Sequence, residues 1–296
     1  MTIDIGRVGI WTSALEAQPA DRARQAAEEL EALGFPILWV NETTGRDPFV
    51  LATMLLASTS KLKLATGIAN IYARDALTMA ASQKTLAEAF PGRFLLGLGV
   101  SSPVLVEKVR KHSYGKPLTH MREYLEAMDA APYHSVPPEE KPLRVLAALG
   151  PRMLELAATH ADGAHPYLTT PDHTRSAREL IGSDVLLAPE QMVVLETDPT
   201  TARDIARASV SFYLRAPGYL ANLRRMGYTD DDWADPKAPS DRLIDGIVAW
   251  GDMETIARRV REHHDAGADH VCVQVLAPPR ELPLPQWREL ASALLG

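Results

Sequence analysis

The sequence predicts an α/β fold, a single (β/α)8 TIM barrel with insertions over residues 1–296. Short apolar runs alternate with amphipathic segments, the signature of a parallel sheet covered by helices. The runs number eight, the strand number of the barrel. The rival, a doubly wound open sheet, wants a glycine-rich fingerprint after its first strand. The nearest match, Gly97-Leu98-Gly99-Val100-Ser101-Ser102, lacks the third glycine and follows the fourth run.

The elements follow in order. Arg7 to Trp11 reads as the first strand. Asp21 to Leu33 is a helix: Ala23, Ala26, Ala27, Leu30 and Leu33 share one face, and Gly34 stops it. Ile37–Val40 and Pro48–Ser58 form the next strand and helix, Leu62–Ile68 and Ala76–Ala89 the third pair. The Pro91-Gly92 turn then leads into a fourth strand, Phe94–Leu98. Helical stretches at Pro103–Arg110 and Leu118–Met128 precede a proline-rich loop, and Leu143–Ala148 is the fifth strand. The helix Arg152–His160, a short strand Gly163–Pro166, the helix Thr174–Ile181 and a strand Met192–Glu196 follow. Asp198 caps a helix whose first residue is Pro199. Residues 216–250 break the rhythm and are expected to be an insertion covering the strand ends: they are too apolar for disorder and too irregular for a barrel unit. Asp252–Ala266, Val271–Leu276 and Pro285–Leu295 supply the last helix, strand and closing helix.

Composition excludes several functions. A net charge of −7 argues against binding nucleic acid or an anionic membrane. No run of apolar residues is long enough to span a bilayer, and the start MTIDIGRVGIW lacks a signal peptide's basic and apolar stretches. A soluble cytoplasmic protein is expected. Cys272 is the sole cysteine and reads as a core thiol. The histidines are scattered without HExxH, so no metal is expected. Neither GxSxG nor GxxxxGK[ST] occurs, which argues against an esterase triad or a nucleotide-phosphate loop.

In a barrel the chemistry sits at the carboxyl ends of the strands. The second run ends in Asn41 and Glu42; the third in Gly67, Ile68 and Asn70, with Tyr72 and Arg74 beyond; the fourth in Gly99, Val100, Ser101 and Ser102. The fifth ends in Leu149, Gly150, Pro151 and Arg152, and the sixth carries Gly163, Ala164, His165 and Tyr167. Glycines there let backbone approach something flat or anionic. Gly150-Pro151-Arg152 reads either as an anion site at a helix start or as a loop glycine before a favoured proline. Glu42 reads either as a general acid/base or as a capping or ion-paired carboxylate.

The segments LATGIANIYARDALTMAASQKTLAEAFPGRFLLGLGVS, ALGPRMLELAATHADGAHPYLTTPDHT and WGDMETIARRVREHHDAGADHVCVQVL resemble, over nearly the whole chain, the bacterial-luciferase-like, deazaflavin-dependent oxidoreductases. The resemblance implies coenzyme F420 as cofactor, with FMN as the alternative. It implies a bulge with a cis peptide at Gly67–Ile68, where a tricyclic ring lies. Cofactor contacts are expected at Gly67, Ile68, Asn70, Gly99, Val100, Ser101, Ser102, Gly163 and Ala164, and at a phosphate loop of Leu149, Gly150, Pro151 and Arg152. Relatives often carry Glu or His where this chain has Ser102, and serine does not titrate near neutrality. Glu42, with Asn41, is therefore the remaining candidate for handling a proton. Tyr72 and Tyr167 are expected to line the pocket of a small organic substrate. Lys108, Arg110 and Lys111 are candidates for the cofactor's acidic tail. The reading is hydride transfer between the deazaflavin and that substrate, in a homodimer. The alternatives are an FMN-dependent monooxygenase and a barrel that binds cofactor without catalysis.

Overall fold

The computed structural model describes residues 4–278 and 280–295. Strand β1 (Val8–Thr12) is buried at every position, as a strand covered on both faces must be. It is followed by α1 (Ala20–Ala32), β2 (Ile37–Val40), α2 (Pro48–Ser58), β3 (Lys63–Thr66), β4 (Ala69–Asn70), α3 (Ala76–Ala89), β5 (Phe94–Gly99) and α4 (Pro117–Asp129). Then come β6 (Arg144–Leu146), α5 (Pro151–His160), β7 (Gly163–Ala164), α6 (Pro171–Ile181), β8 (Leu186–Leu187), β9 (Glu190–Val194), α7 (Pro199–Tyr213) and α8 (Pro217–Arg225). The chain continues through α9 (Asp241–Ile247), β10 (Val248–Trp250), α10 (Met253–Asp265), β11 (Val271–Val275) and α11 (Leu284–Leu294).

The sheet runs β10-β9-β11-β1-β2-β3-β5-β6-β7-β8, with β4 also on β5, and its pairs are parallel. The segment carrying β8 and β9 bridges β7 and β11: the N–H groups of Ala188 and Glu190 bond the carbonyls of Ala164 and Pro166, and Cys272 N–H bonds Pro189. The period of two sorts the side chains. Val8, Ile10, Leu38, Val40, Leu64, Leu96 and Leu98 join α1, α2 and α3 in the larger core. Trp11, Trp39, Ala65, Leu95, Val145, Met192 and Cys272 meet on the opposite face. Several helices start on acceptors the sequence advertises: Asp47, Asp75, Asp198 and Asp252 each accept N–H bonds at their helix's first turn.

The helical stretch expected at Pro103–Arg110 is present, wound as a wider π turn over Val104–Val109 with Arg110 N–H on the Leu105 carbonyl. Two expectations are corrected. The third strand is not continuous to Ile68; it stops at Thr66 and resumes as β4. Residues 216–250 are not outside the sheet throughout: they begin as α8 and end as α9 and β10, whose Val248–Trp250 pairs with Met192–Val194.

Candidate active site at the strand ends

The break in the third strand organises the site. The Gly67–Ile68 peptide is cis, as the resemblance implies. Trp11 Nε1 donates to the Gly67 carbonyl at 3.0 Å, and a Cβ on Gly67 would lie 2.5 Å from that nitrogen. Thr66 Oγ1 donates to the Gly97 carbonyl at 2.7 Å and accepts from Gly97 N–H at 2.8 Å. A Cβ on Gly97 would stand 1.9 Å from the Thr66 carbonyl oxygen, and one on Gly99 2.4 Å from Ile68 Cδ1. Only glycine lets the fourth run pass beneath this break. Ile68 therefore lies across Gly99.

Glu42 holds the resumed strand. Its Oε2 accepts from Asn70 N–H at 2.7 Å and Arg74 Nη1 at 2.9 Å; its Oε1 accepts from Arg74 Nη2 at 2.6 Å. Arg110 approaches to 3.8 Å and donates to the Thr43 carbonyl at 2.8 Å, so it turns inward rather than toward a distant tail. Both Glu42 oxygens are already engaged, which is the geometry of an anchor. Asn41 Oδ1 and Asn70 Nδ2 are buried without partners among the described residues. Glu16, just past β1, sits beside this network. Thr43 Oγ1 donates to its Oε2 at 3.4 Å, and its Oε1 is buried without a partner. Burial, with the neighbouring Glu42 adding to it, pushes the Glu16 carboxyl above the usual range, against the Thr43 bond.

A second polar group lies inside the strand ends. His165 Nδ1 donates to the Ala188 carbonyl at 2.7 Å and the ring stacks on Trp39 at 4.4 Å, leaving Nε2 unpartnered. That nitrogen faces Gly67, whose Cβ would meet it at 3.2 Å. Burial drops the imidazole to about 4, so it is neutral. Tyr167 donates to Gln274 Oε1 at 2.8 Å and bonds the Tyr213 hydroxyl at 2.7 Å; Trp11 and Tyr219 pack against it at 5.4 and 6.3 Å between ring centres. Among the described residues, the fully buried Glu190 receives only Leu168 N–H, at 3.4 Å. Burial raises its carboxyl to about 8.

The expected site residues therefore divide. Asn41, Glu42, Gly67, Ile68, Asn70, Gly99 and Tyr167 share the strand-end region. Val100 is half-buried against the core; Ser101 has a φ of 57° and its carbonyl accepts from Tyr114; Ser102 Oγ accepts from Leu105 N–H at 3.4 Å. Tyr72 donates to the Tyr114 carbonyl and stacks on that ring at 5.6 Å. Gly163 and Ala164 lie within β7, and the missing Cβ of Gly163 admits the Leu186 carbonyl, 2.6 Å from where it would stand. Leu149, Gly150 and Pro151 lead into α5, which has no side-chain cap. Arg152 is exposed there; the guanidinium standing over Gly150 is Arg225's, 3.2 Å from the site of a Cβ. Sequence reading missed Glu16, Glu190, Gln274 and Arg225. A glutamate heading an otherwise strand-like EQMVV was the one available signal.

Comparison with known proteins supplies the context. A family model described as luciferase-like monooxygenase matches residues 3–270. A Mycobacterium tuberculosis protein assigned as a coenzyme F420-dependent oxidoreductase is 25% identical over 90% of this chain and 93% of its own. The 5,10-methylenetetrahydromethanopterin reductase of Archaeoglobus fulgidus is 26% identical over 81% of this chain and 85% of its own. An F420-dependent secondary alcohol dehydrogenase, solved with an F420–acetone adduct, superposes with a TM-score of 0.79 over 98% of both chains at 14% identity, a likeness of fold.

Proposed function

Because the chain belongs to the luciferase-like monooxygenase family, we propose that it is an oxidoreductase that uses the deazaflavin coenzyme F420 on a small organic substrate. The observation that carries this reading is a set of buried polar atoms without partners at the strand ends: Asn41 Oδ1, Asn70 Nδ2 and His165 Nε2. Each such atom costs about 1–3 kcal/mol when left unpaired. A flat, hydrogen-bonding ring would satisfy them. The Mycobacterium tuberculosis relative named for F420 chemistry supports the choice of cofactor.

Bound there, F420 would supply the carbon that takes or gives a hydride; the chain's own share is placement, dryness and a proton. The backbone at Gly67–Ile68, Gly99 and Ser101–Ser102 forms the ring's floor, and the start of α5 takes its phosphate. Glu42 and Arg74 fix Asn70 and so the floor's position. Glu16, with a free buried oxygen and a raised carboxyl, is the better proton carrier of the two glutamates, and Glu42 is a positioning residue. Tyr167, Tyr213 and Tyr219 form an apolar wall that excludes water. The hydrogen bonds that join β7 to β11 through β8 and β9 support an eight-stranded closed barrel. Arg225 over Gly150 and Tyr219 beside Tyr167 support residues 216–250 as a cover on the strand-end face.

The test is titration of the purified protein with F420 and with FMN, followed by oxygen uptake. Saturable F420 binding with weaker FMN binding and little oxygen uptake is expected. Tight FMN binding with none for F420 would favour an oxygenase instead.

A further inference from the structure

Helix α8 carries the cation of an anion site whose other half is α5. Pro151 has no N–H, and the N–H groups of Met153 and Leu154 turn onto the Gly150 carbonyl at 3.0 and 3.1 Å. The Arg152 N–H has no carbonyl a turn back to bond, at the end where the helix is positive, and the Arg225 guanidinium stands over Gly150, 3.2 Å from where a Cβ would be. Among the described residues no carboxylate pairs with Arg225, whereas its neighbour Arg224 is held by Asp230 at 2.6 Å. One turn earlier on the same face of α8, Asn222 is 1% exposed, and neither end of its amide has a partner. Asn222, Arg225, Leu149, Pro151 and His173 line one end of a cleft of about 790 Å3 whose walls also carry Asp172, Glu262 and Asp265, balanced by Arg175 and Arg259. The buried His173 donates from Nε2 to the Leu149 carbonyl at 2.8 Å, and its Nδ1 is also unpartnered. The Asn222 Nδ2, buried beside an unpaired guanidinium and a helix start, is satisfied by an anion that accepts from all three, whereas Asn222 Oδ1 and His173 Nδ1 are acceptors that such an anion leaves to other donors.

We infer that Arg225 and Asn222, not Arg152, close a phosphate site on Gly150–Pro151, so that the ribityl phosphate of the cofactor pins α8 against the barrel. This site rests on the cofactor reading above for its ligand, yet the phosphate is common to F420 and FMN, so it does not depend on which of them binds. Filling the site would join the first helix of the 216–250 segment to the loop after β6. Binding of the phosphate and seating of the cover then become one event.

The test is a binding cycle. Dissociation constants are measured by fluorescence for F420, for the 5′-phosphate of 8-hydroxy-5-deazariboflavin, which lacks F420's acidic tail, and for the phosphate-free parent, on the wild type and on Arg225→Ala, Asn222→Ala and Arg152→Ala; the Arg225 loss is expected for both phosphate-bearing ligands. A hydrogen bond to a charged group sets the scale, so Arg225→Ala should weaken F420 roughly ten- to hundredfold and leave the parent within about twofold. Arg152→Ala should change neither comparably. Arg225 is exposed, so its variant folds; Asn222→Ala is checked by its melting curve. Equal losses with and without the phosphate, no loss for F420, or a loss carried by Arg152 would overturn the site. Failure of the wild type to bind F420 would overturn the cofactor reading alone, and FMN against riboflavin then tests Arg225 in the same way. Binding of neither pair overturns both.

Discussion

The Arg74 guanidinium meets the Glu42 carboxylate with two bonds, 2.9 and 2.6 Å, while Asn70 N–H reaches the same carboxylate at 2.7 Å. Both side chains are nearly buried, at 11% and 6% exposure. One pair thus ties the end of β2 to the start of β4 across the interrupted strand, with Asp47 as a second acceptor for Arg74 at 2.9 Å.

Removing Arg74 leaves the Glu42 carboxylate with Asn70 N–H at 2.7 Å and Arg110 at 3.8 Å, so the cost falls below the roughly 3–5 kcal/mol of a fully unpaired buried charge. Arg74→Ala should lower the urea midpoint accordingly. Glu42→Gln should lower stability and cofactor affinity together, because Asn70 loses its anchor. A Glu42→Gln protein with native stability and affinity but no turnover would return Glu42 to the proton-handling role.

Glu16→Gln should do the reverse. General acid–base help is worth roughly 10² to 10⁴ in rate, so turnover should fall by that order while cofactor affinity and melting temperature hold. The raised carboxyl of Glu16 also predicts that the acidic limb of the pH–rate profile lies above the ordinary glutamate range and disappears in the variant.

Glu190 predicts an alkaline liability. Its folded carboxyl titrates at about 8 against 4.5 in the unfolded chain. The stability it lends is complete below pH 4.5 and is lost as pH rises from 4.5 toward 8, at up to about 1.4 kcal/mol per pH unit. Glu190→Gln keeps the shape and removes the titration, so it should raise the urea midpoint at pH 8 and leave it nearly unchanged at pH 4.5. Equal effects at both pH values would contradict the assignment.

Three buried histidines act in the opposite direction. Burial holds His165 at about 4, and His263 and His270 at about 3, against 6.5 unfolded. Their stability is complete above pH 6.5 and is lost as pH falls through the window down to 3. Unfolding followed from pH 7 to pH 4 should show a steep loss. His263→Gln should shallow it; this residue bridges Thr174 and Gln191 at 2.8 and 2.9 Å, away from the strand ends.

Much of the scaffold was legible in the chain itself. The run Ile37–Val40 and the helices Pro48–Ser58 and Ala76–Ala89 stand where apolar spacing, Asp47, Asp75 and the prolines put them, since periods of 2 and 3.6 and capping chemistry are local properties. The interruption at Gly67 was legible only through resemblance, because nothing in TGIAN itself reveals that Trp11 and His165 crowd that glycine. The start of β9 was not legible either: Glu190 is charged in sequence and buried in the fold. Which cation serves which anion lay beyond the sequence altogether. Glu42 finds Arg74 across 32 residues, and Gly150 is met by Arg225 rather than by Arg152, two residues away. Such choices rest on distances between elements, fixed only when the sheet and its helices have packed; burial then decides whether a carboxylate or imidazole there keeps its charge.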